Sequence, residues 1–162
     1  MSTATVRAAV AAWFAGTPGF GRVWKGQPKV QVPADFDSGS GTLVPTAYVH
    51  MDNRVETRIA GPAGAGIKQV THTVGLVVTV RWWLTPDGGQ DEWTAAVDAA
   101  TDAVVDRLRA DHNLGTAGEV VWLAGEGQAD VQMAQDLPVY GDTVGELKTV
   151  VQFQVVEMVQ GV

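Results

Sequence analysis

Three histidines, three serines and a glycine-rich run ending in lysine are the residues of this chain whose types and spacing could support chemistry. His50, Asp52 and His72 come together if the strand carrying the first two pairs with the strand carrying the third. Zinc takes at least three protein ligands, each oriented by a group behind it. Neither a His-x-His nor a His-Glu-x-x-His spacing is present, and polar strand positions account for these side chains more simply. Ser2, Ser38 and Ser40 lie in segments composed like flexible chain, outside any nucleophile-elbow setting. Gly61-Pro62-Ala63-Gly64-Ala65-Gly66-Ile67-Lys68 has the glycines of a phosphate loop, but Ile67 separates the last glycine from Lys68 and Gln69 stands where Ser or Thr is required. A strand rather than a helix follows it, so the anion-binding helix dipole is missing and a hairpin tip is expected. With no cysteine, disulfides, thiolate metal sites and cysteine nucleophiles are excluded. Carboxylates are numerous, yet none is marked by its sequence context as raised in pKa by burial. The sequence therefore assigns no catalytic residue, no cofactor and no metal ligand, and a non-enzymatic protein is expected.

Charge is the stronger signal. Residues 1–81 carry eight Lys/Arg against four Asp/Glu, a net of +4, and residues 82–162 carry three against fourteen, a net of −11. A molecule with one basic and one acidic half can attract copies of itself head to tail, closing rings or extending filaments. The overall net charge of −7 argues against general nucleic-acid affinity, which requires a basic footprint. Asp98, Asp102 and Asp106 repeat at steps of four along an expected helix, where like charges repel by roughly 0.2–0.5 kcal/mol per pair. Aspartate is also a poor helix-interior residue, and only Arg107 and Arg109 offer local relief. Three readings stay open: a solvated face, a surface meeting cations of a neighbouring subunit, or the lining of a passage through which DNA slides without binding. Arg54, Arg58 and Lys68 are the expected cationic partners. Trp24 and Phe36, large apolar side chains in a polar stretch, either fold back onto the core or join an interface.

The elements that position these residues follow from periodicity. Thr3 or Thr5 is expected to cap a helix to about Ala15, with Val6, Val10, Trp13 and Phe14 on one side and Gly16-Thr17-Pro18-Gly19 as its stop. A loop-rich insert at about 20–45 follows, holding Asp37-Ser38-Gly39-Ser40-Gly41 and a possible short strand at Val30–Val32. Strands are expected at Thr46–Met51 and Arg54–Ala60, joined around Asp52-Asn53. Val70–Leu84 alternates with period two, its even positions from Val70 to Leu84 largely apolar. At ~3.4 Å per residue it reaches about 50 Å, more than a core of this size needs, so part is expected to project as an arm with its hairpin partner. After a turn at Thr85-Pro86-Asp87-Gly88-Gly89, Asp91 caps a helix over Glu92–His112 that ends at Asn113 or Gly115. Its core stripe is Trp93, Val97, Ala100, Val104 and Leu108, with Ala96 beside it. Strands at Glu119–Ala124 and Ala129–Asp136, linked through Gly125-Glu126-Gly127, and at Leu147–Met158 complete the chain. The expected fold is α+β: one domain over 1–162, with a mostly antiparallel sheet of about four to six strands, two helices and a long hairpin arm. The start at Met1–Gly16 lacks signal-peptide order and no apolar stretch approaches the roughly 20 residues that span a bilayer, so a soluble protein with no membrane partner is expected.

This order of elements resembles the tail terminator proteins of long-tailed bacteriophages, also called tail completion or head–tail joining proteins. The likeness is carried by the Ala-rich opening helix Val6–Ala15, the long strand Val70–Leu84, the helix Glu92–His112 and the closing strand Thr149–Met158. It covers most of the chain as a pattern rather than as a motif, so no functional residue transfers by position, and the segment at 20–45 is longer than the pattern accommodates. The resemblance implies a structural virion protein whose six copies form a ring that caps the finished tail tube and stops its polymerisation. Its implied partners are its own copies, the tail tube protein and the head connector or completion protein, with DNA passing through without specific binding. The implied location is the head–tail interface of the virion, after assembly in the bacterial cytoplasm. Another joining protein or a tail tube subunit is the near alternative. From a different class, a small-molecule binding domain or enzyme would place a pocket against the sheet, lined by Trp82, Trp83 and Trp122.

Overall fold

The computed structural model describes residues 2–38, 42–60, 66–84, 90–123 and 131–161. The glycines at 61 and 64, the Ser40 segment, the turn at 85–89, the ends of the expected strands at Ala124 and Ala129, and Gly125-Glu126-Gly127 lie outside them, as does the side chain of Asp91. In chain order the elements are α1 (Thr3–Phe14), β1 (Val23–Trp24), α2 (Pro33–Phe36), β2 (Thr46–Ala60), β3 (Gly66–Trp83), α3 (Gln90–Ala110), β4 (Val120–Leu123), β5 (Val131–Gln135), β6 (Val139–Tyr140) and β7 (Val144–Gly161). No described helix is long and apolar enough to cross a membrane.

The α+β class holds, with two corrections. The sheet is mixed rather than mostly antiparallel, because β1 runs parallel to β2, and it has seven strands rather than four to six. A third helix, the four-residue α2, joins the two expected. The strand order is β1-β2-β3-β7-β4, and β5 and β6 also pair with β7. β3 and β7 are each 18 residues long and pair from Gly66 opposite Gly161 to Trp83 opposite Val144. Along its other side β7 is lined in turn by β6, β5 and β4.

Opposite residues of an antiparallel pair share one side of the sheet. One side, carrying Ala47, Val49, Val74, Leu76, Val78, Val151, Phe153 and Val155, packs on Val6, Val10 and Phe14 of α1 and on Val97, Val104 and Leu108 of α3, all buried. Burying each Val, Leu or Phe among them contributes about 1.5–3 kcal/mol. Trp93 is half-buried and stacks on Trp82 at 5.3 Å between ring centroids, while Ala96 is exposed rather than beside the core. The two helices are tied by reciprocal bonds. Trp13 Nε1 donates to the Arg107 carbonyl at 2.9 Å, Arg107 Nε donates to the Trp13 carbonyl at 3.1 Å, and the guanidinium lies 3.7 Å from the indole centroid.

Several boundaries differ from expectation for local reasons. Ser2, not Thr3 or Thr5, caps α1 by accepting from the Thr5 N–H. Val30 and Val32 are exposed coil, because Pro33 starts α2 there and Asp35 Oδ2 accepts from the Val32 N–H at 2.9 Å. Asp52-Asn53 does not end a strand. The register slips between Met51 and Asn53, and β2 runs on through a bulge. α3 starts at Gln90, placing Asp91 inside it, and stops at Ala110. Asp111 then accepts the N–H groups of Asn113 at 2.9 Å and Gly115 at 3.0 Å, while Leu114 and Gly115 turn through positive φ.

Candidate subunit interface

The periodicity that buries one face of α3 turns Asp98, Asp102 and Asp106 outward, and all three are exposed. Asp98 and Asp102 form a wall of a groove of about 390 Å³ between α3 and the sheet, together with Val97, Thr101, Met133, Gln135 and Thr149. Asp106 stands on the same helix face but does not line it. Gln135 pairs with Thr149 and Met133 with Val151, so both β5 residues lie on the helix side of the sheet. The Thr149 side-chain hydroxyl, buried at the groove, has no hydrogen-bond partner among the described residues. β5 and β6 make the outer margin of the sheet there, and Met133, Leu137, Val139 and Tyr140 are all more than half exposed.

At the opposite margin the expected two-stranded arm is instead the distal part of a three-stranded ribbon, because β7 pairs with β3 as far as Gly66; its outer strand, β2 past Met51, is the arm. Past Met51, every β2 residue from Asp52 to Ile59 is exposed. Arg54 lies opposite His72 and Arg58 opposite Lys68, which puts all three cations on the helix side. Glu56 moderates them: it pairs with Arg54 and lies 4.0 Å from Lys68 Nζ. Arg54 also donates to Thr3 Oγ1 at 3.3 Å, so it is partly held by its own chain, and Arg58 has no ion pair among the described residues. Val55 and Ile67, on the other side of the arm, are exposed. At its base His72 Nε2 is 3.0 Å from Glu157 Oε1, both side chains fully buried. No described ion pair joins the arm cations to the α3 aspartates within one chain.

The side of the sheet away from the helices is partly roofed by segment 20–45. Trp24 pairs with Tyr48 in register, half-buried, with Arg22 5.6 Å from its ring centroid. Phe36 covers Arg81, whose guanidinium is 4.2 Å from the ring centroid. Arg81 Nε donates to Glu146 Oε2 at 3.0 Å, Nη1 to Thr46 Oγ1 at 3.2 Å and Nη2 to Gln31 Oε1. Burial pushes its pKa down, and Glu146 opposes that. Burial also raises the Tyr48 hydroxyl, helped by the charge of Asp136. Gln31, Phe36, Tyr48, Arg81 and Glu146 border a cleft of about 550 Å³ with Lys29. Every nitrogen of Arg81 is already engaged by its own chain, so its cation fastens the roof rather than waiting for an anion.

Other candidates separate in space. His50 pairs with Gly75 and so faces away from the helices, whereas His72 faces them. Among the described residues no group of three His, Asp or Glu comes together as metal ligands. Trp82 and Trp122 face the helix side at different heights of β7, and Trp83 faces the other way, so the three tryptophans line no common pocket. Sequence reasoning missed Thr149, Met133 and Gln135 as groove residues and Arg81 as a buried cation. Only Pro138, in a run that carries the sheet margin, hinted at an edge there. No family model and no curated protein matches the chain.

Proposed function

We propose that this chain is a structural, ring-forming subunit that acts as a tail terminator, capping a phage tail tube and joining it to the head connector. The observation that carries the reading is a sheet left open along two opposite margins. β2 is bordered by β1 only at Ala47 and Tyr48, and β5 has a strand on one side only, among the described residues. Open strands present unpaired N–H and C=O groups that template pairing with another chain. One margin carries Arg54 and Arg58, with Lys68 on the strand behind it, and the other lies under Asp98 and Asp102. Unlike margins favour heterologous contacts, which close into rings when the rotation allows.

The mechanism is steric. A closed ring docks on the last tube layer and covers the surface on which another layer would add, and its acidic surface lets DNA pass without adhering. Mass photometry and negative-stain imaging of the purified chain, alone and mixed with tube ends, test this. A discrete ring that seats on tube ends and halts their growth is expected. Indefinite tubes would instead identify a tube subunit. A chain that stays monomeric in both settings would end the proposal.

A further inference from the structure

Resting on that ring reading, we infer that the arm of one copy adds as an antiparallel strand to the free edge of β5 in the next, laying its basic side over the α3–β5 groove. Strand direction gives the first reason. β2 is antiparallel to β3, β3 to β7, and β7 to β5, so β2 and β5 run in opposite directions. A copy repeated sideways with its helices on the same side therefore brings its β2 margin against β5 in the antiparallel sense, without inversion; β5 stands level with Ala47–Met51, so the copy also slides along the strands to set its arm against β5. Antiparallel pairs exchange straight hydrogen bonds between exposed edges.

Side-chain placement gives the second. In a junction that continues the sheet, the helix side of the incoming arm, with Arg54 and Arg58, comes beside Met133 and Gln135 under Asp98 and Asp102. Among the described residues, no lysine or arginine lines the groove and Arg58 has no ion pair within its own chain. On the opposite side the exposed Val55 meets the Gln132 and Ala134 side of β5. The hydroxyl of Thr149, on the strand behind the groove, has no hydrogen-bond partner among the described residues. The occupant is thus a second copy of this chain, entering by its arm.

The chain has no cysteine, which makes engineered crosslinking clean. Val55→Cys or Thr57→Cys in the arm is combined with Gln132→Cys or Ala134→Cys on β5, all on the side away from the helices, so that the charged residues stay intact. Opposite Cβ atoms of paired strands are about 4.5–5.5 Å apart, close enough for oxidation to bridge them with a small backbone adjustment. Oxidised double variants are expected to run as a ladder of multimers on a non-reducing gel, and single variants as monomers. In a second arm of the test, Asp98→Lys with Asp102→Lys, and separately Arg54→Glu with Arg58→Glu, weaken assembly at least tenfold, and combining all four restores it. Rings that form without any crosslink and without rescue overturn this contact while leaving the ring itself standing. Absence of assembly, even with tube ends, removes both.

Discussion

A histidine and a carboxylate are shut away together at the base of the arm. His72 and Glu157 are fully buried, 3.0 Å apart, on neighbouring strands. Breaking a buried hydrogen bond of this kind costs about 1–3 kcal/mol, and more where a charged group is involved. His72→Ala is therefore expected to lower the unfolding free energy by about 3 kcal/mol in urea denaturation, and His72→Gln, which can still donate, by less. A loss within about 0.5 kcal/mol for the alanine variant would mean the pair does not hold the arm. Asp111 makes a pH-dependent contribution instead. Two backbone N–H groups stabilise its carboxylate and hold its pKa below the ordinary 3.8. The folded state thus binds this proton less readily than the unfolded one. The stabilisation is present above the unfolded value and is lost as pH falls through the folded value. Asp111→Ala should be less stable than the parent near neutrality, with the gap closing below about pH 4 as the parent carboxyl protonates. A gap constant from neutral to acid pH would refute the ionic contribution.

Elements obey patterns that were readable where burial is one-sided and unreadable where it is not. The stripe Val97, Ala100, Val104 and Leu108 and the even positions of β3 face one core, so their periods of 3.6 and 2 were legible. Asp98, Asp102 and Asp106 were legible as an outward face for the same reason. The odd positions of β3 were not. Thr79 and Arg81 are buried beneath an irregular segment whose path has no period to read. Asp52-Asn53 carries turn chemistry that the chain uses for a bulge, because β3 offers an unbroken partner on both sides of it. The α3–β5 groove was invisible because it depends on β5 pairing with β7, a contact between distant segments. One glycine shows how tightly the ends are fitted. A Cβ at Gly145 would stand 2.3 Å from the Trp82 ring, which is stacked between Gly145 and Trp93. Gly145→Ala must push that indole away and is expected to cost about 1–3 kcal/mol. Near-ultraviolet circular dichroism should report the loss of the Trp82–Trp93 stack, and an unchanged spectrum with unchanged stability would show that the strand end has room to shift.

For the whole molecule, short-range attraction and long-range repulsion act on the same contact and answer differently to salt. Each copy carries −7 overall, so copies brought together in the proposed ring repel as bodies, while the basic arm and the acidic groove attract at the contact proposed above. The screening length is about 30 Å at 0.01 M salt, about 8 Å at 0.15 M and about 3 Å at 1 M. At the lowest salt the bodies still feel one another, and repulsion opposes ring closure. Near physiological strength that repulsion is screened while charge pairs within about 4 Å of contact retain most of their attraction. At molar salt the pairs weaken too, leaving strand pairing and the exposed apolar side chains Val55 and Met133 to hold the proposed ring. Assembly is therefore expected to peak at intermediate ionic strength and fall on both sides, as read by sedimentation velocity across that range. Arg54→Glu with Arg58→Glu should abolish the peak and leave assembly rising steadily with salt, since only repulsion then remains to be screened. A parent protein whose assembly already rises steadily to molar salt would show that charge plays no part in how copies meet, and that strand pairing alone directs them.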